Sequence, residues 1–104
     1  GGTGADSVFR DGDFRFDFGK MEYLYQSRQI DLSKTEQRLL RCLVENKGRS
    51  VPRGSLIDAA WPGESEYVDE HALTVAVNRL RKKLGSSQEP TSHIKTVYGI
   101  GYTW

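Results

Sequence analysis

The sequence predicts an α+β domain in which helices lie between an N-terminal antiparallel β-sheet and a C-terminal β-hairpin. Three observations carry that expectation. Phe14, Phe16 and Phe18 alternate with Arg15 and Asp17, the period-2 pattern of a half-buried strand. Ser33-Lys34-Thr35-Glu36 opens an apolar run at helical spacing, and Trp61-Pro62-Gly63 and Gly85-Ser86-Ser87 close two further helical stretches. Two β-rich runs flank Gly99-Ile100-Gly101, as the strands of a hairpin flank its tip.

Each element follows in order. Gly1-Gly2-Thr3-Gly4-Ala5-Asp6 reads as a remnant at residues 1–6 joined to an excised domain over 7–104. Asp11-Gly12 marks a turn. Strands are expected over 13–32: Phe14 to Phe18, a turn at Gly19-Lys20, then Glu22 to Tyr25. A polar break at Gln26 to Gln29 precedes a short strand at Ile30 to Leu32. The aromatic side of this meander is expected to face the rest of the domain.

The first helix has a complete start signal. Ser33 is its N-cap and Glu36 the reciprocal N3 partner, so each side chain satisfies an orphan backbone donor. Leu39, Leu40, Leu43 and Val44 share its inner face, and Gly48 supplies a left-handed C-terminal position. The second helix spans about Pro52 to Ala60, with Leu56, Ile57 and Ala60 inward, and Pro62 stops it. The third runs from Asp69 or Glu70 to Leu84. At about 100° per residue, Leu73, Val77, Leu80 and Leu84 fall in a narrow arc. His71, Thr74, Val75, Asn78, Arg79, Arg81 and Lys82 fall on the other side, with Val75 as the one apolar member.

Composition narrows the function classes. The chain has 104 residues, 37% of them hydrophobic, which is sufficient for one packed domain. Its single cysteine excludes a disulfide framework and a multi-Cys zinc site, and Cys42 reads as a small core residue. No apolar run approaches the roughly 18–20 residues that span a bilayer, so no membrane role is expected. No Ser-His-Asp or Cys-His order, paired carboxylate site or metal-ligand spacing stands out. Neither a catalytic residue, a metal nor a cofactor is expected. Trp61 reads as core, and His93 as a loop or strand-edge residue.

The net charge of +1 taken alone argues against a nucleic-acid partner. Its distribution argues the other way. Asp58, Glu64, Glu66, Asp69 and Glu70 occupy a stretch without Lys or Arg, and Arg79, Arg81, Lys82 and Lys83 follow in a stretch without acids. A solvated helix whose ends suit its macrodipole would show the same polarity. The amide and basic side chains on an outer helix face, beside a hairpin, are however what a helix-turn-helix with a wing presents to DNA. Asn78 suits an adenine edge, Arg79 or Arg81 a guanine or phosphate, Val75 a thymine methyl, and the lysines phosphate.

These residues carry a resemblance. Leu32-Ser33-Lys34-Thr35-Glu36 with Leu39-Leu40, then Leu56-Ile57-Asp58-Ala59-Ala60-Trp61, Leu73 through Leu84, and Ile94 through Tyr102 resemble the OmpR/PhoB winged-helix effector domain over about residues 13–104. The resemblance implies the output domain of a two-component response regulator in the bacterial cytoplasm. A sensor kinase would act on an Asp of a separate receiver domain. It implies double-stranded DNA with direct-repeat half-sites as ligand, bound by a head-to-tail homodimer, although the isolated domain can be monomeric. Recognition-helix contacts fall on His71, Thr74, Val75, Asn78, Arg79, Arg81 and Lys82, and wing contacts on Thr96 and Tyr98. The loop at 61–68, with Trp61, Glu64, Glu66 and Tyr67, corresponds to a surface that touches RNA polymerase. Tyr98 stands where many members have Arg, Ala76 where many have His, and Pro52 where a Ser cap is common. Two alternatives share the fold: a protein-interaction winged helix working through the acidic loop, and the DNA-binding head of a membrane-anchored regulator.

Overall fold

A computed structural model of the chain describes residues 8–84 and 93–104. The remnant expected at 1–6, the Gly85-Ser86-Ser87 helix stop and the loop expected after it lie outside the described residues. The chain forms two compact units, one ending at Asp31 and the other starting at Leu32.

The first unit is a four-stranded antiparallel meander, β1 (Val8–Asp11), β2 (Phe14–Asp17), β3 (Glu22–Tyr25) and β4 (Arg28–Gln29), paired in that order. The alternation places Phe14 opposite Tyr25 and Phe16 opposite Tyr23. Phe14 and Tyr25 stack at 4.5 Å, and Phe18 meets Tyr23 edge-on at 5.6 Å. Such cross-strand aromatic pairs are the unit of sheet stabilisation. Two readings need correction. Strand β1 is an addition, with Phe9 opposite Phe16. The strand expected at Ile30 to Leu32 is absent. Pairing occurs one step earlier, at Arg28–Gln29, because Gln26 and Ser27 both take positive φ (52° and 65°) and close a tight two-residue turn there.

The second unit contains α1 (Lys34–Glu45), β5 (Val51–Pro52), α2 (Arg53–Ala60), a 3-10 turn (Ser65–Tyr67), α3 (Glu70–Lys83), β6 (Lys95–Val97) and β7 (Gly101–Thr103). The capping box forms as expected: Glu36 N–H donates to Ser33 Oγ at 3.2 Å, and Ser33 N–H donates to Glu36 Oε1 at 2.8 Å. Helices α1, α2 and α3 pack on one another through Leu39, Leu40, Leu43, Leu56, Leu73, Val77 and Leu80, each fully buried. Each such side chain contributes about 1.5–3 kcal/mol relative to exposure.

The hairpin forms at the C-terminus, with Lys95 opposite Thr103 and Val97 opposite Gly101. It gains a third strand that periodicity could not reveal, since β5 pairs with β7 through Val51 and Tyr102. Gly101 is required by that pairing. A Cβ there would stand 2.0 Å from the Val51 carbonyl oxygen. Helix α2 has no side-chain N-cap at Pro52; instead the Arg53 N–H donates to the Ile100 carbonyl at 3.3 Å. The turn of the hairpin thus serves as the cap.

Candidate nucleic-acid interface

Helix α3 begins with a local device. Asp69 is its N-cap, its carboxylate accepting from Ala72 N–H at 2.9 Å, and Glu70 sits in the first turn. Arg81, Lys82 and Lys83 close the last turn, where cations suit the helix dipole. Leu73, Ala76, Val77 and Leu80 hold one side in the core. His71, Thr74, Asn78 and Lys82 are exposed at spacings of three and four residues, which lines them along one outer arc. Arg79 is exposed beside that arc. The Thr74 hydroxyl donates to the Glu70 carbonyl at 3.1 Å, which leaves its oxygen as an acceptor.

Three residues sit differently from the sequence reading. Val75 does not project into solvent. It is half-buried and lines an open cleft with Ser33, Thr35, Glu36, Trp61, Ala72, Ala76 and Arg79. Trp61 is accordingly a half-buried wall of that cleft rather than a core residue. Arg81 is turned toward the hairpin. Its Nε donates to the Ile94 carbonyl at 2.9 Å, Nη2 to Thr96 Oγ1 at 2.9 Å, and Nη1 to Asn78 Oδ1 at 3.2 Å. Its guanidinium also lies 5.6 Å from the centre of the Tyr102 ring, within cation–π range.

Lys83, grouped on sequence with the lysines suited to phosphate, has a partner within the protein instead. Its Nζ donates to Glu36 Oε1 at 2.6 Å, joining the end of α3 to the start of α1. Burial pushes the Glu36 carboxyl up. The hydrogen bond from Lys83, those from the Ser33 backbone and hydroxyl, and the Lys83 charge outweigh that and hold it below the usual carboxylate value. A signal for both residues existed. Arg81 and Lys83 fall about 80° to either side of Leu73 on a helical projection, so each borders the core. A long basic side chain in that position can reach back to a neighbouring element.

The hairpin projects its tip. Tyr98 is 86% exposed and Ile100 48%, while Thr96 is half-buried with its hydroxyl oxygen engaged by Arg81. Gly99, between the two exposed residues, adopts φ +80°, the left-handed conformation the turn requires. Between α2 and α3, Glu64, Glu66 and Tyr67 are exposed around the 3-10 turn, with Tyr67 at 86%. Cys42 is half-buried, and burial, aided by the nearby Glu45 charge, pushes its thiol up and away from reactivity. His93 lies against Trp104, with ring centres 5.3 Å apart and planes tilted by 33°. Among the described residues no group of three or more His, Cys, Asp and Glu could hold a metal ion, and no helix is long and apolar enough to cross a membrane.

Known proteins match this arrangement. A family profile described as "Transcriptional regulatory protein, C terminal" matches residues 27–104. The phosphate regulon transcriptional regulatory protein PhoB of Rhizobium meliloti (strain 1021) is 40% identical over 97 residues, covering 93% of this chain and 42% of that protein. The solved structure of response regulator DrrB of Thermotoga maritima, described as an OmpR/PhoB homolog, superposes with a TM-score of 0.83 at 27% identity, covering 94% of this chain and 44% of that one. The RstA DNA-binding domain of Klebsiella pneumoniae, solved in complex with the RstA box, gives a TM-score of 0.81 at 26% identity, covering 93% and 95% of the two chains. The chain thus spans less than half the length of the PhoB and DrrB proteins it matches.

Proposed function

Because the chain belongs to the family of OmpR/PhoB-type C-terminal domains of transcriptional regulatory proteins, we propose that it binds double-stranded DNA sequence-specifically to regulate transcription. The observation that carries this reading is the exposed row of His71, Thr74, Asn78 and Lys82 along α3, whose opposite side is core. A row of that kind fits the major groove, with Asn78 and Arg79 at base edges and Lys82 at phosphate. Tyr98 at the exposed hairpin tip meets the adjacent minor groove or backbone. The domain acts by binding, not catalysis, and needs neither metal nor cofactor.

Control in this reading comes from a sensor kinase acting on a receiver domain in the longer bacterial cytoplasmic protein. Two copies pair head-to-tail on directly repeated half-sites, and linkage on adjacent sites multiplies a modest single-copy affinity. The exposed Glu64, Glu66 and Tyr67 form a separate surface for RNA polymerase. A Tyr67→Ala variant should keep DNA affinity and lose activation in a purified transcription reaction.

Binding-site selection from a random duplex pool at moderate salt tests the central reading. A directly repeated half-site is expected, with log affinity falling linearly against log salt. Lys82→Ala should weaken all duplexes alike and reduce the salt slope by about one. Binding that is absent, or indifferent to both sequence and salt, would refute the reading.

A further inference from the structure

Arg81 is expected from the sequence to face outward and read DNA, yet its guanidinium is held within the protein by Ile94, Thr96 and Asn78. It joins three places: the start of the hairpin at Ile94, strand β6 at Thr96, and the outer face of α3 at Asn78. We propose that Arg81 is a specificity-determining positioning residue, which fixes the side-chain amide of Asn78 so that it offers donors, not a donor–acceptor pair, to the base it meets. This rests on the DNA-binding reading above.

Arginine carries only donors, so the Asn78 atom facing Nη1 must be the carbonyl Oδ1; the amide nitrogen cannot take that place. The half-buried guanidinium is itself held by Ile94, Thr96 and the Tyr102 ring, and so gives the amide a fixed partner. An asparagine that reads adenine needs both halves: Nδ2 donates to N7 while Oδ1 accepts from the N6 amino group. Oδ1 keeps a second lone pair, but its direction is fixed on Arg81, and the half free to align with a base edge is the Nδ2 donor pair. The matching major-groove edges are those that present acceptors, guanine N7 and O6 or thymine O4. Adenine, the partner that residue type alone suggests, would have to share the Oδ1 that already accepts from Arg81.

The contacts also make Arg81 a bridge between both candidate reading elements, helix and hairpin. Removing it should therefore change which base is chosen, whereas loosening the hairpin alone should change only how tightly DNA is held. Thr96→Val separates the two effects, because it cuts the strand contact and leaves the Asn78 contact.

The experiment is binding-site selection, followed by titration of single-base variants of the selected duplex, for the parent chain and for Asn78→Ala, Arg81→Ala, Arg81→Gln and Thr96→Val. The position whose preference flattens in Asn78→Ala identifies the base read by Asn78. Guanine or thymine is expected there in the parent, favoured over adenine by at least about fivefold, the lower end for a good base contact. Arg81→Ala should move that position toward adenine, and Arg81→Gln, which retains a donor for the Ile94 carbonyl, should do the same if the alanine variant melts too low to use. Thr96→Val should lower affinity without changing the preference. Adenine preferred by the parent would overturn the proposal with no variant needed. So would an unchanged preference in a folded Arg81 variant, or the same shift in Thr96→Val. If the parent selects no sequence, the DNA-binding reading fails first, and that result is distinguishable from these.

Discussion

Replacing Glu36 tests whether the join between α1 and α3 is electrostatic or merely steric. Glu36 Oε1 accepts from both Ser33 N–H at 2.8 Å and Lys83 Nζ at 2.6 Å, and the residue is 4% exposed. Glu36→Gln keeps an acceptor for Ser33, since glutamine serves equally in a capping box. It loses only the charge shared with Lys83. A charge-assisted hydrogen bond is worth about 1.5–3 kcal/mol and a neutral one about 0.5–1.5, so the expected cost is roughly 1 kcal/mol. The Lys83 side chain is 41% exposed and rehydrates, which keeps the cost below that of a stranded buried charge. Glu36→Ala loses the cap partner as well and leaves a void, for a total of about 2–3 kcal/mol. At about 4–8 °C per kcal/mol for a domain of this size, the two variants should melt roughly 5 °C and 15 °C below the parent at pH 7. The pH dependence gives the sharper test. The Glu36 carboxyl is held below its ordinary value in the fold. Its contribution is therefore complete above the unfolded value of about 4.3 and is lost as pH falls through the lower folded value. Thermal melts followed by circular dichroism from pH 3 to 8 should show a constant gap between parent and Glu36→Gln above about pH 5, closing toward pH 3. A gap that persists unchanged at pH 3, or a glutamine variant as damaged as the alanine one, would refute the reasoning.

Three further outcomes are expected. Gly101→Ala would put a methyl 2.0 Å from a backbone oxygen that no rotamer change can move, so β5 and β7 must part; a loss of about 1–3 kcal/mol should appear as a lower Tm. Ser27→Gly relieves a left-handed residue in the β3–β4 turn, at φ 65°. It should raise stability by up to about 1 kcal/mol in the same melts, the relief exceeding the entropy glycine adds to the unfolded chain. Tyr98→Arg places a cation on the exposed tip; on the DNA-binding reading it should tighten all duplexes and steepen the salt slope by about 0.9, measured by fluorescence anisotropy across a salt series.

The elements legible in the sequence were those whose signals are local. The Ser33–Glu36 box, the leucine spacing of α1 and α3, and the hairpin around Gly99 each act within a few residues, and each formed where expected. What escaped depends on distant partners. Strand β5 is two residues long and exists only because Tyr102 and Gly101 pair with Val51 and Pro52. The Gln26–Ser27 turn uses two residues that seldom adopt positive φ, so no Asn-Gly signature announced it. Within the candidate interface, periodicity identified the outer row but could not say where long side chains end. A helical projection gives the direction of a Cβ, not the reach of a guanidinium or an ammonium group. Arg81 and Lys83 border the core on that projection while Lys82 faces away, and only their length lets them reach Thr96 and Glu36.

Those two inward bases bear on how the domain would search a chromosome. Of the Arg and Lys residues of α3, two are spent on the protein itself, leaving Arg79 and Lys82 to displace counterions from a duplex. Affinity for random sequence rises steeply with the number of phosphates neutralised. A helix with few such charges leaves non-target DNA quickly, so less protein is sequestered there and more is available to sample new positions. The cost is a short residence at a lone half-site. With two copies paired as proposed, occupancy should then follow tandem spacing as much as local sequence, and a promoter could be tuned by moving two half-sites apart without altering a base in either.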